Sequence, residues 1–236
     1  MSCTPVGALF SRVVNGLSTA GDYRNITMYN HKQYANAHGY DYRVLTSPFK
    51  NGITTNLSDV RWHKSFMVKF LLATYNWVFW TDCDSLFMNF SMPLPIPKTN
   101  APNSPHFIFC GDHNNAINTG QFLIDNSTWS RSLLDQIHMN KHAECGDKFD
   151  NAAFNWVLWK NCAVSRSSVT TMSQCQAKIK VAVYPWALGC ASFNTYPDVF
   201  LRLNANDRRT VFRVHFPGDQ HKKLTYANQI QQYVIY

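Results

Sequence analysis

Trp77-Val78-Phe79-Trp80 is an unbroken apolar run of aromatic and β-branched residues, and it ends at Thr81-Asp82-Cys83-Asp84-Ser85. The run predicts a buried strand, and the two acids predict its exit into a turn. Upstream, Pro5 to Val14 contains a first strand. Ile26 to His38 has helical spacing and stops at Gly39, where a left-handed residue is wanted. Tyr40 to Leu45 follows as a strand, and residues 47–57 are polar and turn-rich. Ser58 can cap the next helix, in which Trp62, Phe66 and Phe70, with Met67 and Leu71, make a stripe. This β-α-β-α-β alternation predicts an α/β fold with a mostly parallel central sheet flanked by helices.

Further along, residues 91–106 hold five prolines and read as an irregular loop. Phe107 to Cys110 and Gln121 to Ile124 read as short strands, with Asn118-Thr119-Gly120 as a turn before the second. Trp129, Leu133 and Ile137 share one face of a helix, and Phe154, Val157 and Leu158 lie on another over roughly 148–160. Residues 161–178 are polar and loop-like. Val181 to Tyr184 and Val211 to Phe216 are late strands, before a C-terminal helix over 222–234. No repeat or composition shift marks a boundary, so residues 1–236 are expected to form a single domain.

Composition narrows the functional classes. The net charge of +8 favours anionic partners, but no dense basic run or nucleic-acid module is present. Seven cysteines without a C-x-x-C pair argue against a zinc site, and buried free thiols are expected over a Cys162–Cys175 bridge. Asn25, Asn56, Asn89 and Asn126 head Asn-x-Ser/Thr triplets, which chance explains in an Asn-rich chain. No stretch approaches a membrane span. The expected setting is cytoplasmic, or the Golgi lumen if a membrane anchor has been removed.

The chemistry concentrates at the strand end. Asp82 and Asp84, at i and i+2 on a turn beyond the carboxyl end of a strand, can aim at one hard divalent cation. Such a cation can clamp a diphosphate; the competing reading is a solvated turn. Alternation over Val211 to Phe216 sets Phe212, Val214 and Phe216 on one face and Arg213 with His215 on the other. His215 is therefore either an exposed polar-face residue or a third ligand for manganese. Lys222 and Lys223, just beyond, can neutralise phosphate oxygens. Asp150 reads as a first-turn carboxylate favouring the helix dipole, or, with Asn151, as a group near a reacting sugar carbon. Asn118 and Gly120 offer an amide and a close backbone approach, or an ordinary turn.

In order along the chain, these pieces resemble glycosyltransferase family 34, which includes plant xyloglucan xylosyltransferases and fungal galactosyl- and mannosyltransferases. The matching blocks are Asn30-His31-Lys32 with Tyr34-Ala35 and His38-Gly39-Tyr40, then Trp62 with Lys64, and Trp77 through Asn89. Asn118-Thr119-Gly120-Gln121-Phe122-Leu123 with Asn126, Trp129 and Ser130 follows, and His215-Phe216-Pro217-Gly218 closes the set. The resemblance implies a GT-A fold, a nucleotide-diphosphate sugar as donor (UDP-sugar over GDP-mannose), a glycan acceptor, Mn2+ or Mg2+, and retention of configuration. It makes Asp82, Asp84 and His215 the metal ligands, places Asp150 with Asn151 beside the donor sugar and lines the sugar pocket with Asn118 and Gly120; Asp82, Gly218, Lys222 and Lys223 are further expected around the donor. The chain departs from the family in Asn151 for Gln, Asp125 for Arg and Asp219 for Cys. The competing functions are a non-catalytic carbohydrate-binding protein on a degenerate transferase fold and a sugar-phosphate nucleotidyltransferase. The latter would normally open with a Gly-rich phosphate loop, which Val6 to Leu17 lacks.

Overall fold

The computed structural model describes residues 8–12, 23–45, 63–97, 104–111, 117–140, 149–162, 181–183, 195–216 and 220–236. The chain gathers into two compact units, one from Met1–Ala8, Ser47–Trp80 and Ile96–Tyr184, the other from Leu9–Thr46, Thr81–Pro95 and Pro185–Tyr236. Each unit is assembled from three separated stretches, so no single linker could announce a boundary in the sequence.

The strands and helices of the chain begin with β1 (Ala8–Arg12), α1 (Tyr23–His38), β2 (Asp41–Leu45), α2 (His63–Leu71) and β3 (Trp77–Asp82). β4 (Ser85–Phe87), β5 (Phe107–Gly111), β6 (Ile117–Asp125), α3 (Thr128–Met139), α4 (Phe149–Cys162) and β7 (Val181–Val183) follow. The last elements are α5 (Pro197–Arg202), α6 (Ala205–Arg209), β8 (Arg213–His215), α7 (Gln220–Ile230) and a 3-10 turn over Gln231–Tyr233.

In the first unit the strand order is β3-β6-β5-β7. β5 pairs antiparallel with β6, Ile108 opposite Leu123, and parallel with β7, Phe107 opposite Val181. The sheet here is mixed, where the alternation of elements had predicted mostly parallel pairing. β6 also begins earlier than expected: Asn118, Thr119 and Gly120 lie inside the strand, buried, and are not a turn before it. Phe122 meets Phe107 and Phe154 with ring centroids 5.3 Å apart in both cases. Burying each such ring stabilises the fold by about 1.5–3 kcal/mol. Asp125 fixes the entry to α3, accepting hydrogen bonds from Ser130 Oγ (2.7 Å) and Ser127 N (3.2 Å), while Ser127 caps the helix at Ser130 N.

The expected stripe on α2 is displaced. Met67 and Leu71 are buried, but so are Lys64, Ser65 and Val68, whereas Phe70 is 58% exposed. Lys64, Met67, Val68 and Leu71 hold the i, i+3, i+4, i+7 positions of the inward face. A pattern read from apolar residues alone misses a face that contains a lysine. Trp62 and Ser58 lie outside the described residues, as do most of 161–178.

In the second unit, α1 serves as a rack for the segment that follows the Asp82–Asp84 turn. Asn30 Nδ2 donates to Phe87 O (2.9 Å) and Phe87 N to Asn30 Oδ1 (2.8 Å). His31 Nε2 lies 2.8 Å from Ser85 O, Tyr34 OH donates to Met92 O (2.8 Å), and His38 Nε2 lies 2.7 Å from Phe90 O. The helix stops at Gly39, whose φ of 68° is the left-handed value its position requires. β4 pairs antiparallel with β8, Ser85 opposite His215 and Phe87 opposite Arg213. Tyr34 stacks on Phe87 at 3.8 Å, and Leu86, Met88, Phe200, Val214, Phe216, Ala227 and Ile230 complete the core. Cys83 is a buried free thiol, but Cys110 is disulfide-bonded, against the expectation of free thiols. Among the described residues no helix is long and apolar enough to cross a membrane.

Candidate functional site

The turn between β3 and β4 carries Asp82, Cys83 and Asp84, and β8 brings His215 to it. Asp84 is 15% exposed; its Oδ2 accepts from Lys223 Nζ of α7 at 2.6 Å, and its Oδ1 faces His215 Nε2 at 3.6 Å. Asp84 Oδ1 and His215 Nδ1 are buried and have no hydrogen-bond partner among the described residues. Backbone pairing carries the strand up to the turn, with Phe216 N donating to Asp84 O at 2.7 Å.

Burial opposes ionisation of Asp84, but His215 and Lys223 overcome it and hold the carboxyl below its usual range. Burial also pushes the His215 imidazole below its ordinary value, against the pull of Asp84. The site brings together a carboxyl, an imidazole and a lysine amino group. His215 is thus neither the exposed polar-face residue of one reading nor a core histidine: it is mostly buried with polar neighbours. Lys223 meets Asp84 here, while Lys222 is exposed on the same helix. Asp82 is half-buried, and its backbone carbonyl is held from three sides. Among the described residues no three His, Cys, Asp or Glu side chains group as a metal-ion cluster.

Arg213 is the residue that sequence reasoning passed over, having been set on a polar face with His215. It is 1% exposed. Its Nη2 donates to Thr81 Oγ1, to Ser85 Oγ and, at 3.3 Å, to Asp82 O. Thr81 Oγ1 and Ser85 Oγ also donate to Asp82 O at 3.1 and 2.9 Å. Burial lowers the Arg213 pKa to about 9, with the Asp82 and Asp84 charges opposing the fall. His31 sits alongside; burial first, then Arg213, push it down to about 3, so it is neutral. Since a carbonyl only accepts, the His31 proton is on Nε2, donated to Ser85 O.

The other candidates lie in the first unit, in a second polar cluster. Lys64 Nζ donates to Asp150 Oδ2 and to Thr119 O, both at 2.7 Å, and lies 5.5 Å from the Trp80 ring centroid. Thr119 Oγ1 donates to Asp150 Oδ2 at 2.8 Å, and Thr119 N to Asn151 Oδ1 at 2.8 Å. Asp150 is therefore more than a helix-dipole carboxylate: it is the counter-ion of a buried lysine. Asp150 Oδ1 and Asn151 Nδ2 make no hydrogen bond among the described residues. Gly120 N donates to Asn118 Oδ1 at 2.8 Å, an arrangement that braces the strand from within. Gly218 lies outside the described residues. A lysine at an inward helical position was the one available sign of this cluster.

The galactosyl transferase GMA12/MNN10 family profile matches residues 12–95, which include α1, β3 and the Asp82–Asp84 turn. Xyloglucan 6-xylosyltransferase 4 of Arabidopsis thaliana is 33% identical over 82 residues, covering 31% of this chain and 16% of its own length. An uncharacterized alpha-1,2-galactosyltransferase of Schizosaccharomyces pombe is 28% identical over 153 residues, covering 50% of this chain and 40% of its own. The chain spans less than half the length of either relative. A solved glycosyltransferase involved in the glycosylation of the major capsid of PBCV-1 shares the fold, with a TM-score of 0.66 over 96% of this chain and 100% of that one at 12% identity. The fold is thus α/β of the GT-A type, and residues 12–95 are similar to the galactosyl transferase GMA12/MNN10 family.

Proposed function

We propose that this chain is a metal-dependent, retaining glycosyltransferase that moves one sugar from a nucleotide diphosphate to a glycan hydroxyl. The observation that carries the reading is the Asp84–His215 pair. Two ligand-type atoms lie 3.6 Å apart, one on a carboxylate and one on an imidazole, and Asp84 Oδ1 has no hydrogen-bond partner among the described residues. That donor set fits manganese or magnesium, with Asp82 assisting and diphosphate oxygens completing the shell. When bound, the cation would supply charge stabilisation for the leaving diphosphate.

The chain's own groups have separate tasks. Lys223, already within 2.6 Å of Asp84, places an ammonium where phosphate charge would develop, and Lys222 adds to the field. Asp150 Oδ1 and Asn151 Nδ2 are the acceptor and donor left for a sugar, because Lys64 and Thr119 occupy the other oxygens. Asp150, anchored in this way, is fixed for electrostatic support of a positive anomeric carbon rather than for nucleophilic attack. Attack by the acceptor hydroxyl on the face that the diphosphate leaves, its proton passing to a departing phosphate oxygen, would retain configuration. Asn118 and Gly120, together with Gly218, are assigned to donor binding by the family pattern alone.

Thermal melting with UDP and GDP, each with and without manganese, tests the reading. A ligand at 100 times its Kd stabilises the folded state by about 2.7 kcal/mol. A manganese-dependent shift with one base supports the proposal and names the donor's nucleotide. No shift with any nucleotide would leave sugar binding without catalysis as the better account.

A further inference from the structure

Burying an arginine is costly, and an enclosed charge is often replaceable by apolar residues at no loss of stability. Stability alone therefore does not explain Arg213, and its partners suggest what does. The guanidinium donates to Thr81 and Ser85, the residues that bracket Asp82-Cys83-Asp84, and to the carbonyl of Asp82 itself. It stands on β8, two residues before His215, which is opposite Ser85 in the β4–β8 register. One guanidinium nitrogen, Nη2, thus ties both ends of the carboxylate turn to the strand that supplies the imidazole.

We infer that Arg213 is a positioning residue, a staple that holds Asp84 and His215 in one arrangement for a cation-bound diphosphate. The inference deepens the proposed function and rests on it. The Phe87 ring, 5.7 Å from the guanidinium carbon, and the Thr81–Ser85 hydroxyl contact at 3.2 Å keep the group seated. His31 completes the wall by holding the Ser85 carbonyl.

Charge and position make opposite predictions, which is what makes the test decisive. Arg213→Met keeps the length of the stem but removes the charge and the three hydrogen bonds of Nη2. If Arg213 acted only through its charge, its loss would strengthen cation binding at a carboxylate site. If it positions the ligands, binding should weaken by about tenfold or more, since misplacing site groups by about 1 Å costs up to about a hundredfold. Manganese affinity in the presence of UDP, read by titration calorimetry, decides between them. Amide exchange over residues 82–86, measured without cation, should quicken in the same variant. Arg213→Lys, which keeps a charge but lacks the planar guanidinium that seats Nη2, should recover little of the affinity.

Phe200→Leu, a core change in the same unit at a residue outside the turn, controls for lost stability. It should lower the melting temperature and leave manganese affinity unchanged. Affinity in Arg213→Met that is equal to or tighter than that of the unsubstituted protein would overturn the positioning role and leave the proposed function standing. So would equal weakening in Phe200→Leu. No manganese binding by the unsubstituted protein would instead overturn the metal reading, and this inference with it.

Discussion

Breaking the Lys64–Asp150 pair should cost more stability than any exposed ion pair in this chain. The two side chains are 3% and 12% exposed, and the ammonium makes contacts of 2.7 Å with both Asp150 Oδ2 and the Thr119 carbonyl. Lys64→Met leaves Asp150 ionised with only the Thr119 hydroxyl on Oδ2, at 2.8 Å. Removing one partner of a buried pair typically costs about 3–5 kcal/mol, because the remaining charge is uncompensated. Loss of the ammonium near Trp80 adds about 0.5–1 kcal/mol. Water reaching the partly open Asp150 offsets some of this, so a loss of about 3 kcal/mol is expected. Asp150→Asn should cost somewhat less, since the amide oxygen still accepts from Lys64. The double variant should lose less than the sum of the two, with a coupling of about 1–3 kcal/mol. Urea midpoints followed by tryptophan fluorescence give all three values. A loss below 1 kcal/mol in Lys64→Met, or simple additivity, would refute the claim that this pair anchors Asp150.

Other predictions concern acid, backbone and ligands. His31 is held neutral by burial with a pKa of about 3, against 6.5 when unfolded, so the unfolded chain binds the extra proton. Its contribution to stability is complete above pH 6.5 and is lost as pH falls toward 3, at up to about 1.4 kcal/mol per pH unit. Urea midpoints from pH 7 to pH 4 should fall more steeply in the parent protein than in His31→Gln; parallel slopes would contradict this. Gly39→Ala meets open space, with nothing within 4 Å of the added methyl, so its cost is the left-handed backbone alone, about 1–2 kcal/mol. A neutral result in thermal melting would mean that α1 can end in another way. Asp84→Asn and His215→Ala should each remove the manganese-dependent melting shift and leave circular dichroism unchanged. A shift that survives either change would unseat that residue as a ligand.

What the sequence made legible depended on whether a residue acts on its chain neighbours or on distant ones. Trp77 to Trp80 announced a buried strand because a run of large apolar residues has few other uses, and every one of them is buried. Gly39 announced its helix stop because few other residues tolerate its φ. The Asn30-His31…Tyr34…His38 block was legible only as resemblance. Its physical role, holding the carbonyls of residues 85–92, depends on partners more than fifty positions away. Arg213 was misread, and Lys64 given no role, for the same reason. Alternation and helical spacing sort residues by polarity, so a cation falls on the outward face by default. Both cations are instead inside, because acceptors and acids from remote segments converge on them: Thr81, Asp82 and Ser85 for one, Asp150 and Thr119 for the other. A cation at an inward position of an otherwise apolar stripe, as with Lys64 one turn before Met67 and two before Leu71, is thus a sequence sign of a buried counter-ion. Asp150, opening a helix whose next turns are apolar, was the candidate to pair with it. Placing the two together from the sequence would have turned Asp150 from a helix-dipole acid into the fixed carboxylate that the proposed chemistry uses.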